Sequence, residues 1–178
     1  MNIDKKEFLK PVITLLAICL VITLSLSVVN AVTKDKIAEL AVRERNDLMR
    51  VVLPDAESFK ETSDTLFEGS GGGKTVGYVV ITTTKGYGGD VSVMTGISSD
   101  LSVKGVRILS ENETPGLGKK ASENSFLTQF LKSLAESFTV VKGTAANGQI
   151  SAITGATISS KAVTDAVNEA LETVRGLS

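Results

Sequence analysis

The sequence contains no histidine, no tryptophan and only one cysteine, Cys19. Without histidine, the chain lacks the commonest metal ligand and the usual general base at neutral pH. A single cysteine excludes an internal disulfide and a cysteine-based zinc or iron–sulfur site. Any redox chemistry of this chain must therefore come from a bound organic cofactor.

The chain also lacks an excess of charge of either sign. Its formal net charge is −1 over 178 residues, and no stretch clusters Lys or Arg on one face. This composition argues against a nucleic-acid-binding surface. The length suffices for one anchoring segment and one domain of ordinary size.

An uncharged apolar stretch runs from Pro11 to Val32. It is long enough to cross a bilayer as a helix, and we interpret it as a retained transmembrane anchor. A cleavable signal peptide is the alternative, because Val29-Asn30-Ala31 resembles a small-residue cleavage site. Basic residues lie on both sides of the stretch, so charge alone does not set its orientation. Helical spacing of apolar residues predicts that an amphipathic helix continues from Lys34 to Leu53, before Pro54.

The remainder of the chain predicts an α+β domain that is mostly antiparallel sheet with flanking helices. Three segments have the composition of strands and suit a meander: Val76–Thr84, Val91–Thr95 and Val103–Leu109. A helix is predicted over Ser122–Glu136, with Phe126, Leu127, Phe130, Leu131 and Leu134 on one core-facing side, and a short strand over Phe138–Val141. The glycine-rich stretch Gly69–Gly73 is interpreted as a flexible turn. The predicted division is a flank (1–10), a transmembrane helix (11–32), a stalk helix and linker (33–73) and a folded domain (74–178).

A hydroxyl-rich loop precedes the last predicted helix. After Ser160 the apolar residues follow helical spacing at Val163, Ala166, Val167, Ala170, Leu171 and Val174, and Gly176 supplies a stop. Thr157, Ser159 and Ser160 offer oxygens that could cap the first free amides of this helix. Those amides and the helix dipole also favour a phosphate group. From the pattern alone, plain capping is the more common role for such residues.

Two further turns combine glycine with polar residues. Gly86-Tyr87-Gly88-Gly89 separates the first two predicted strands, where absent side chains would let a flat ligand approach the backbone. A simple hairpin turn explains the same spacing. Glu113-Thr114-Pro115-Gly116-Leu117-Gly118 follows the third strand and predicts a rigid turn with exposed main-chain amides.

Together, these three stretches resemble the motifs of one family. Gly86–Gly89, Glu113–Gly118 and Thr154-Gly155-Ala156-Thr157 are similar, in order and separation, to those of the FMN-binding domains of Rnf and Na+-translocating NADH:quinone oxidoreductase complexes. The resemblance covers roughly residues 74–175. The small size and single anchor are most similar to the G subunits of the Rnf complexes, and the related C subunits of the quinone reductases are the alternative.

The resemblance implies a role for each matching residue. FMN would be joined by a phosphoester to Thr157, with Gly155 and Ala156 leaving room and Thr154 and Ser159 hydrogen-bonding near the phosphate. The isoalloxazine ring would lie against Glu113, Thr114 and Leu117, with Tyr87, Gly88 and the Lys142 ammonium as further neighbours. The chain departs from the family at Ser151, where the attachment motif usually has an aspartate.

The resemblance also implies a function. The domain would lie outside the cytoplasm of a plasma-membrane complex and relay electrons between other membrane and iron–sulfur subunits during ferredoxin:NAD+ oxidoreduction coupled to Na+ or H+ movement. A separate flavin transferase would attach the FMN, because a threonine hydroxyl without a base is a poor nucleophile. Two other functions are a membrane-tethered FMN-binding sensor or scaffold and a structural domain without cofactor.

Overall fold

The computed structural model describes the backbone of residues 5–132 and 136–177, in two compact units. The first unit extends to Arg45 and the second begins at Asn46. Helix α1 runs without interruption from Lys5 to Val52 and contains Pro11. Both the apolar stretch and the predicted amphipathic continuation are therefore parts of one helix, which ends two residues before Pro54.

The apolar part of α1 has the length and composition that crossing a membrane requires. In the described chain it is the one helix long and apolar enough to cross a bilayer, with a mean hydropathy of 2.8 in its most apolar window. Its large apolar side chains are exposed, Leu15 by 64% and Leu24 by 63%. Its hydroxyls bond back to the helix, for example Thr23 Oγ1 to Cys19 O at 2.7 Å. Such bonds satisfy polar groups where water is absent.

The second unit is built on a five-stranded antiparallel meander. The strands are β1 (Ser58–Ser63), β2 (Leu66–Gly71), β3 (Lys74–Lys85), β4 (Asp90–Ser98) and β5 (Val103–Ser110), in spatial order β1-β2-β3-β4-β5. The three predicted strands lie within β3, β4 and β5, and the predicted α+β class is confirmed.

Strands β1 and β2 were not predicted from the sequence. Strand β1 is the edge strand and is almost entirely exposed, so its sequence lacks the alternation that marks a half-buried strand. The glycine-rich stretch after it is not a flexible turn throughout: Gly69–Gly71 pair with β3, and only Gly72 and Gly73 turn the chain, with φ of 58° and 76°. A side chain at Gly69 would collide with Leu53, which explains a glycine inside a strand.

Helix α3, Thr157–Arg175, covers one face of the sheet. All six apolar residues of its predicted stripe are at most 1% exposed, so the predicted helix and its buried face are confirmed. Two threonines of β3 fix the helix to the sheet: Thr82 Oγ1 donates to Ala166 O at 2.9 Å, and Thr84 Oγ1 donates to Ala162 O at 2.8 Å. The N-terminus of α3 is thereby held beside the β3–β4 turn.

The opposite face of the sheet receives the last turn of α1. A second buried cluster joins Met49, Val52 and Leu53 to Phe67, Val79 and Met94. The backbone of Val52 approaches so closely that a Cβ on Gly96 or Gly105 would overlap it. These two glycines make room for a helix end.

The predicted helix over Ser122–Glu136 is wrong. A 3₁₀ turn ends at Ser122 (Gly118–Ser122), and the described part of the segment, to residue 132, then contains the single turn α2 at Asn124–Leu127 and another 3₁₀ turn at Phe130–Lys132. Glu123 has extended backbone angles, φ −73° and ψ 143°, and interrupts the helix. Leu131 is 43% exposed rather than core-facing, and Leu134 lies outside the described residues.

The aromatic residues of this segment are nevertheless core residues. Phe130 is fully buried, with edge-to-face contacts to Phe126 at 5.9 Å and to Phe138 at 5.2 Å between ring centroids. Phe138 leads into β6, Thr139–Val141, which pairs in parallel with β7, Gln149–Ser151. The predicted strand therefore exists, and its partner β7 was missed because only three residues form it.

Candidate functional site

Two loops and one helix of the second unit are joined by one buried carboxylate. Glu113, in the loop after β5, is 4% exposed. Its Oε1 accepts the backbone N–H of Tyr87 at 2.8 Å and that of Gly88 at 3.1 Å. Its Oε2 accepts the Ser159 hydroxyl, at the start of α3, at 2.6 Å. One side chain thus connects the β3–β4 turn, the loop after β5 and helix α3.

Glycines surround this carboxylate because no side chain would fit. A Cβ on Gly86 would overlap Glu113 Oε1, and a Cβ on Gly88 would overlap the Asn112 carbonyl. A Cβ on Gly118 would lie 2.8 Å from Ser159 Oγ and 2.8 Å from Glu113 Cβ. The β3–β4 turn itself is a hairpin, closed by Gly86 N–H donating to Gly89 O at 2.8 Å. This turn is therefore a hairpin, and it also approaches Glu113 closely.

The predicted capping of α3 by hydroxyls is wrong. Its N-cap residue is Ala156, and no side chain of the described residues caps it. Ser160 Oγ instead accepts the Ile153 N–H at 3.0 Å and donates to Ala156 O at 2.9 Å. Ser159 is directed to Glu113, and its hydroxyl is not available as a cap.

The missing cap leaves polar groups available at this helix end. The first bond within α3 runs from Ser160 N–H to Ala156 O, so the amides of the three preceding residues have no partner inside the helix. The exposed hydroxyl of Thr157 makes no hydrogen bond with any residue in 5–132 or 136–177. Gly155, with φ of 81°, turns the chain sharply just before this point. Free amides, the helix dipole and a free hydroxyl together suit a phosphate group.

A cavity of about 530 Å³ opens beside these groups. Its lining residues are Tyr87, Glu113, Thr114, Leu117, Gly118, Gly155, Ala156, Thr157, Ile158 and Ser159. Three large apolar side chains of this lining are exposed: Tyr87 by 71%, Ile158 by 55% and Leu117 by 45%. Apolar walls with a few polar groups at one end are typical of cofactor sites, whose volumes are about 300–1,000 Å³.

A smaller cavity of about 290 Å³ adjoins the first at Gly155 and Thr157. Its other lining residues are Lys142, Gly143, Ala152, Ile153 and Thr154. Ser151, where the family motif usually has an aspartate, donates its hydroxyl to Gly143 O at 2.6 Å. In this chain Ser151 therefore fixes the turn that carries Lys142.

The structure brings the residues singled out from the sequence to one region. Thr157, Gly155, Ala156, Ser159, Glu113, Thr114, Leu117 and Tyr87 line the larger cavity. Thr154 and Lys142 line the smaller one. Gly88 is not a lining residue of either cavity, but its N–H donates to Glu113. Whether each of them contacts FMN stays a prediction.

Two lining residues of the larger cavity, Ile158 and Gly118, were not predicted as part of the site. Ile158 falls outside the buried stripe of α3, and a large apolar residue at an exposed position next to the motif is the signal that could have identified it. Gly118 was part of a quoted motif, but its role depends on contacts between distant parts of the chain. Among the described residues, no group of three or more His, Cys, Asp or Glu side chains could hold a metal ion.

Comparison with known proteins identifies the family of this chain. Residues 86–172 match the model of the FMN-binding domain family. The chain is 40% identical over 158 residues to the G subunit of the proton-translocating ferredoxin:NAD(+) oxidoreductase complex of Clostridium ljungdahlii, covering 88% of this chain and 85% of the relative. It is also 40% identical to the G subunit of the Na(+)-translocating complex of Acetobacterium woodii, covering 99% and 96%.

The fold is shared with a solved structure as well. NqrC from Shewanella oneidensis superimposes with a TM-score of 0.50 at 19% identity, covering 69% of this chain and 66% of that one. At this identity the likeness supports the α+β fold alone. The extent of the match to the two G-subunit relatives supports more: this chain belongs to the family of G subunits of ion-translocating ferredoxin:NAD(+) oxidoreductase complexes and contains its FMN-binding domain.

Proposed function

We propose that this protein carries FMN in phosphoester linkage to Thr157 and relays electrons within a membrane-bound ferredoxin:NAD+ oxidoreductase complex that moves ions. The observation that supports this most strongly is the state of Thr157. Its hydroxyl is exposed and makes no hydrogen bond within the described chain, at a helix N-terminus without a side-chain cap and at the junction of two cavities. A hydroxyl that only stabilised the helix would be bonded to it.

The residues present fit FMN in both size and polarity. The larger cavity of about 530 Å³ has the volume and the apolar walls that a flavin ring needs, with Tyr87, Leu117 and Ile158 exposed along it. The free amides of α3 suit the phosphate end. Bound FMN would supply the redox chemistry that the side chains of this protein lack.

The smaller cavity is where a cationic group meets the attachment site. Lys142 and Thr154 line it, together with Gly155 and Thr157. We place the Lys142 ammonium near the flavin, where a positive charge would stabilise added electrons and raise the reduction potential. Thr154 would hydrogen-bond close to the phosphoester.

The chain does not provide the base that would activate Thr157. It has no histidine, and the carboxylate that lines the cavity, Glu113, is already occupied by three donors. A flavin transferase acting on this chain would therefore form the ester. Ser151, in place of the usual aspartate, bonds to the loop next to Lys142, within the region that such an enzyme would recognise.

The relay role follows from what the relatives are. Both relatives belong to ferredoxin:NAD(+) oxidoreductase complexes, one proton-translocating and one Na(+)-translocating. Helix α1 would anchor this chain in the plasma membrane with the FMN-binding domain outside the cytoplasm, beside the membrane and iron–sulfur subunits of its complex. Because the two relatives differ in the ion, the coupling ion is not part of the proposal.

In-gel flavin fluorescence after denaturing electrophoresis tests the attachment, using protein expressed in its own cell membrane with the transferase present. The wild type should fluoresce, and peptide mass mapping should place the modification on Thr157. Thr157→Ala should abolish the signal. Thr173→Ala is the matched control, because that exposed threonine of α3 bonds only back to Glu169 O. An unmodified Thr157 in the wild type, or fluorescence retained in Thr157→Ala, contradicts the proposal.

A second experiment tests the relay. Purified complex containing Thr157→Ala should lose ferredoxin-to-NAD flux while all of its subunits remain assembled, and Thr173→Ala should keep the flux. Normal flux without this flavin would refute the relay and favour a sensor or scaffold function.

A further inference from the structure

We infer that Glu113 is a positioning residue that assembles the flavin cavity through its hydrogen bonds and, through its charge, keeps the reduction potential of the bound flavin low. This inference rests on the proposed function. It concerns how the protein adjusts the cofactor, rather than whether the cofactor is attached.

The positioning part follows from the contacts of Glu113. Both of its carboxylate oxygens are used, and all three partners donate: Tyr87 N–H, Gly88 N–H and the Ser159 hydroxyl. Tyr87 and Ser159 themselves line the cavity, and in the sequence one precedes Glu113 and the other follows it. Losing the carboxylate would remove the link between the β3–β4 turn and Ser159 of α3, and it would leave the buried Ser159 hydroxyl without this acceptor.

The loop around Glu113 is itself held in place. Glu113 donates its backbone N–H to Glu111 Oε2 at 2.6 Å, and Glu111 pairs with Lys119 at 3.5 Å. Gly86 and Gly118 approach too closely to admit a side chain. The position of the carboxylate is therefore determined by contacts on several sides, which is what a residue that aligns other groups requires.

The electrostatic part concerns the charges around the larger cavity, while Lys142, which lines the smaller cavity, acts on the reduction potential in the opposite sense. Of the described residues around the larger cavity, Glu113 is the one acidic side chain, and none is Lys or Arg. The three groups that donate to Glu113 are neutral dipoles, so they stabilise its negative charge but leave the net charge in place. At 4% exposure, water screens it weakly. Electrons entering a flavin in this cavity would be repelled by that charge, which lowers the reduction potential.

Glutamine at position 113 separates geometry from charge. The side-chain carbonyl of Gln can still accept both backbone amides, and its NH2 group can donate to Ser159 Oγ, which accepts as well as donates. Glu113→Gln in the full complex should therefore load FMN as the wild type does, while its midpoint potential in spectroelectrochemical titration shifts upward. Glu113→Ala should lose most of the in-gel flavin signal. Glu68→Gln, on β2 and bonded to Thr75, changes net charge equally outside the lining and should leave the potential unchanged.

Each result decides one part of the inference. An unchanged or lowered potential in Glu113→Gln overturns the electrostatic part, as does an equal upward shift in Glu68→Gln. Wild-type loading in Glu113→Ala overturns the positioning part, and so does a loss in Glu113→Gln as large as that in Glu113→Ala. Wild-type protein without covalent flavin would instead contradict the proposed function, so the two failures are distinguishable.

Discussion

Replacing Ser159 by alanine tests the buried network most directly. The hydroxyl is 2% exposed and donates to the 4% exposed Glu113 at 2.6 Å. Its removal leaves Glu113 Oε2 without this partner in a place that water reaches poorly. A lost hydrogen bond to a charged group costs about 1.5–3 kcal/mol. This is a substantial part of the roughly 5–15 kcal/mol by which a domain is stable.

Thermal unfolding of the flavin-free protein measures this cost. For a folded unit of this size, about 4 °C of melting temperature corresponds to 1 kcal/mol, so Ser159→Ala should lower Tm by roughly 6–12 °C. Tyrosine fluorescence is a suitable probe, because the chain has no tryptophan and Tyr87 lies in the network. Near-ultraviolet circular dichroism provides a second probe of the same transition.

Ser125→Ala provides the matched control. Ser125 also donates to a glutamate, Glu123, but at 3.3 Å and in an exposed position. Exposed pairs of this kind contribute about 0–1 kcal/mol, so the control should change Tm by no more than a few degrees. If Ser159→Ala were no less stable than Ser125→Ala, the buried carboxylate would not hold the two loops and α3 together, and its role at the centre of the site would be refuted.

Three further perturbations address other parts of the domain. Gly118→Ala should lower Tm and flavin loading, because its Cβ would overlap the buried carboxylate, whereas Gly176→Ala, with its nearest neighbours at 3.6 Å, should be close to neutral in both assays. Phe130→Ala should lower the free energy of unfolding, measured with denaturant, by about 3–5 kcal/mol, because Phe130 is fully buried between two aromatic rings. Leu131→Ala, at a 43% exposed position, should lower it by less than about 1 kcal/mol. Equal losses in the two variants would contradict the described core. Hydrogen bonds from Ser102 and Ser98 lower the pKa of Asp100 in the folded protein. The ionised Asp100 therefore stabilises the fold at pH values above its unfolded pKa of about 3.9, and this stabilisation is lost as the pH falls through the lower folded pKa. Asp100→Asn should therefore be slightly less stable than wild type near pH 7, by under about 1 kcal/mol at this exposed site, and the difference in Tm should shrink as the pH is lowered below about 4; a difference that grew on acidification would contradict the sign.

Part of the fold is encoded locally and was predictable. The stripe from Val163 to Val174 has a helical period, and all of it is buried in α3. Strands β3, β4 and β5 are rich in β-branched residues, and the apolar stretch of α1 is long and uncharged. In these segments each residue's preference agrees with its neighbours', so a short window of sequence contains enough information.

Other elements depend on contacts that a short window does not contain. Strand β1 is polar and exposed, and it exists because β2 offers it a hydrogen-bonding edge. The segment after Gly118 has helical spacing, yet in the packed chain it forms separate turns, with an extended residue at Glu123 and with Phe130 buried between two other rings. In both cases tertiary packing outweighs the local preference.

The sequence by itself showed which side-chain chemistry this chain lacks, and the resemblance of its three glycine-containing motifs to a known family predicted FMN and its attachment to Thr157. The tertiary structure decided how those motifs meet. The carboxylate of Glu113 lies 26 positions from Tyr87 and 46 from Ser159 in the sequence, and only folding brings the three together. The reason is physical: a hydrogen bond acts over about 3 Å, so the sequence shows which groups can form one, and only the packed chain shows which of them do.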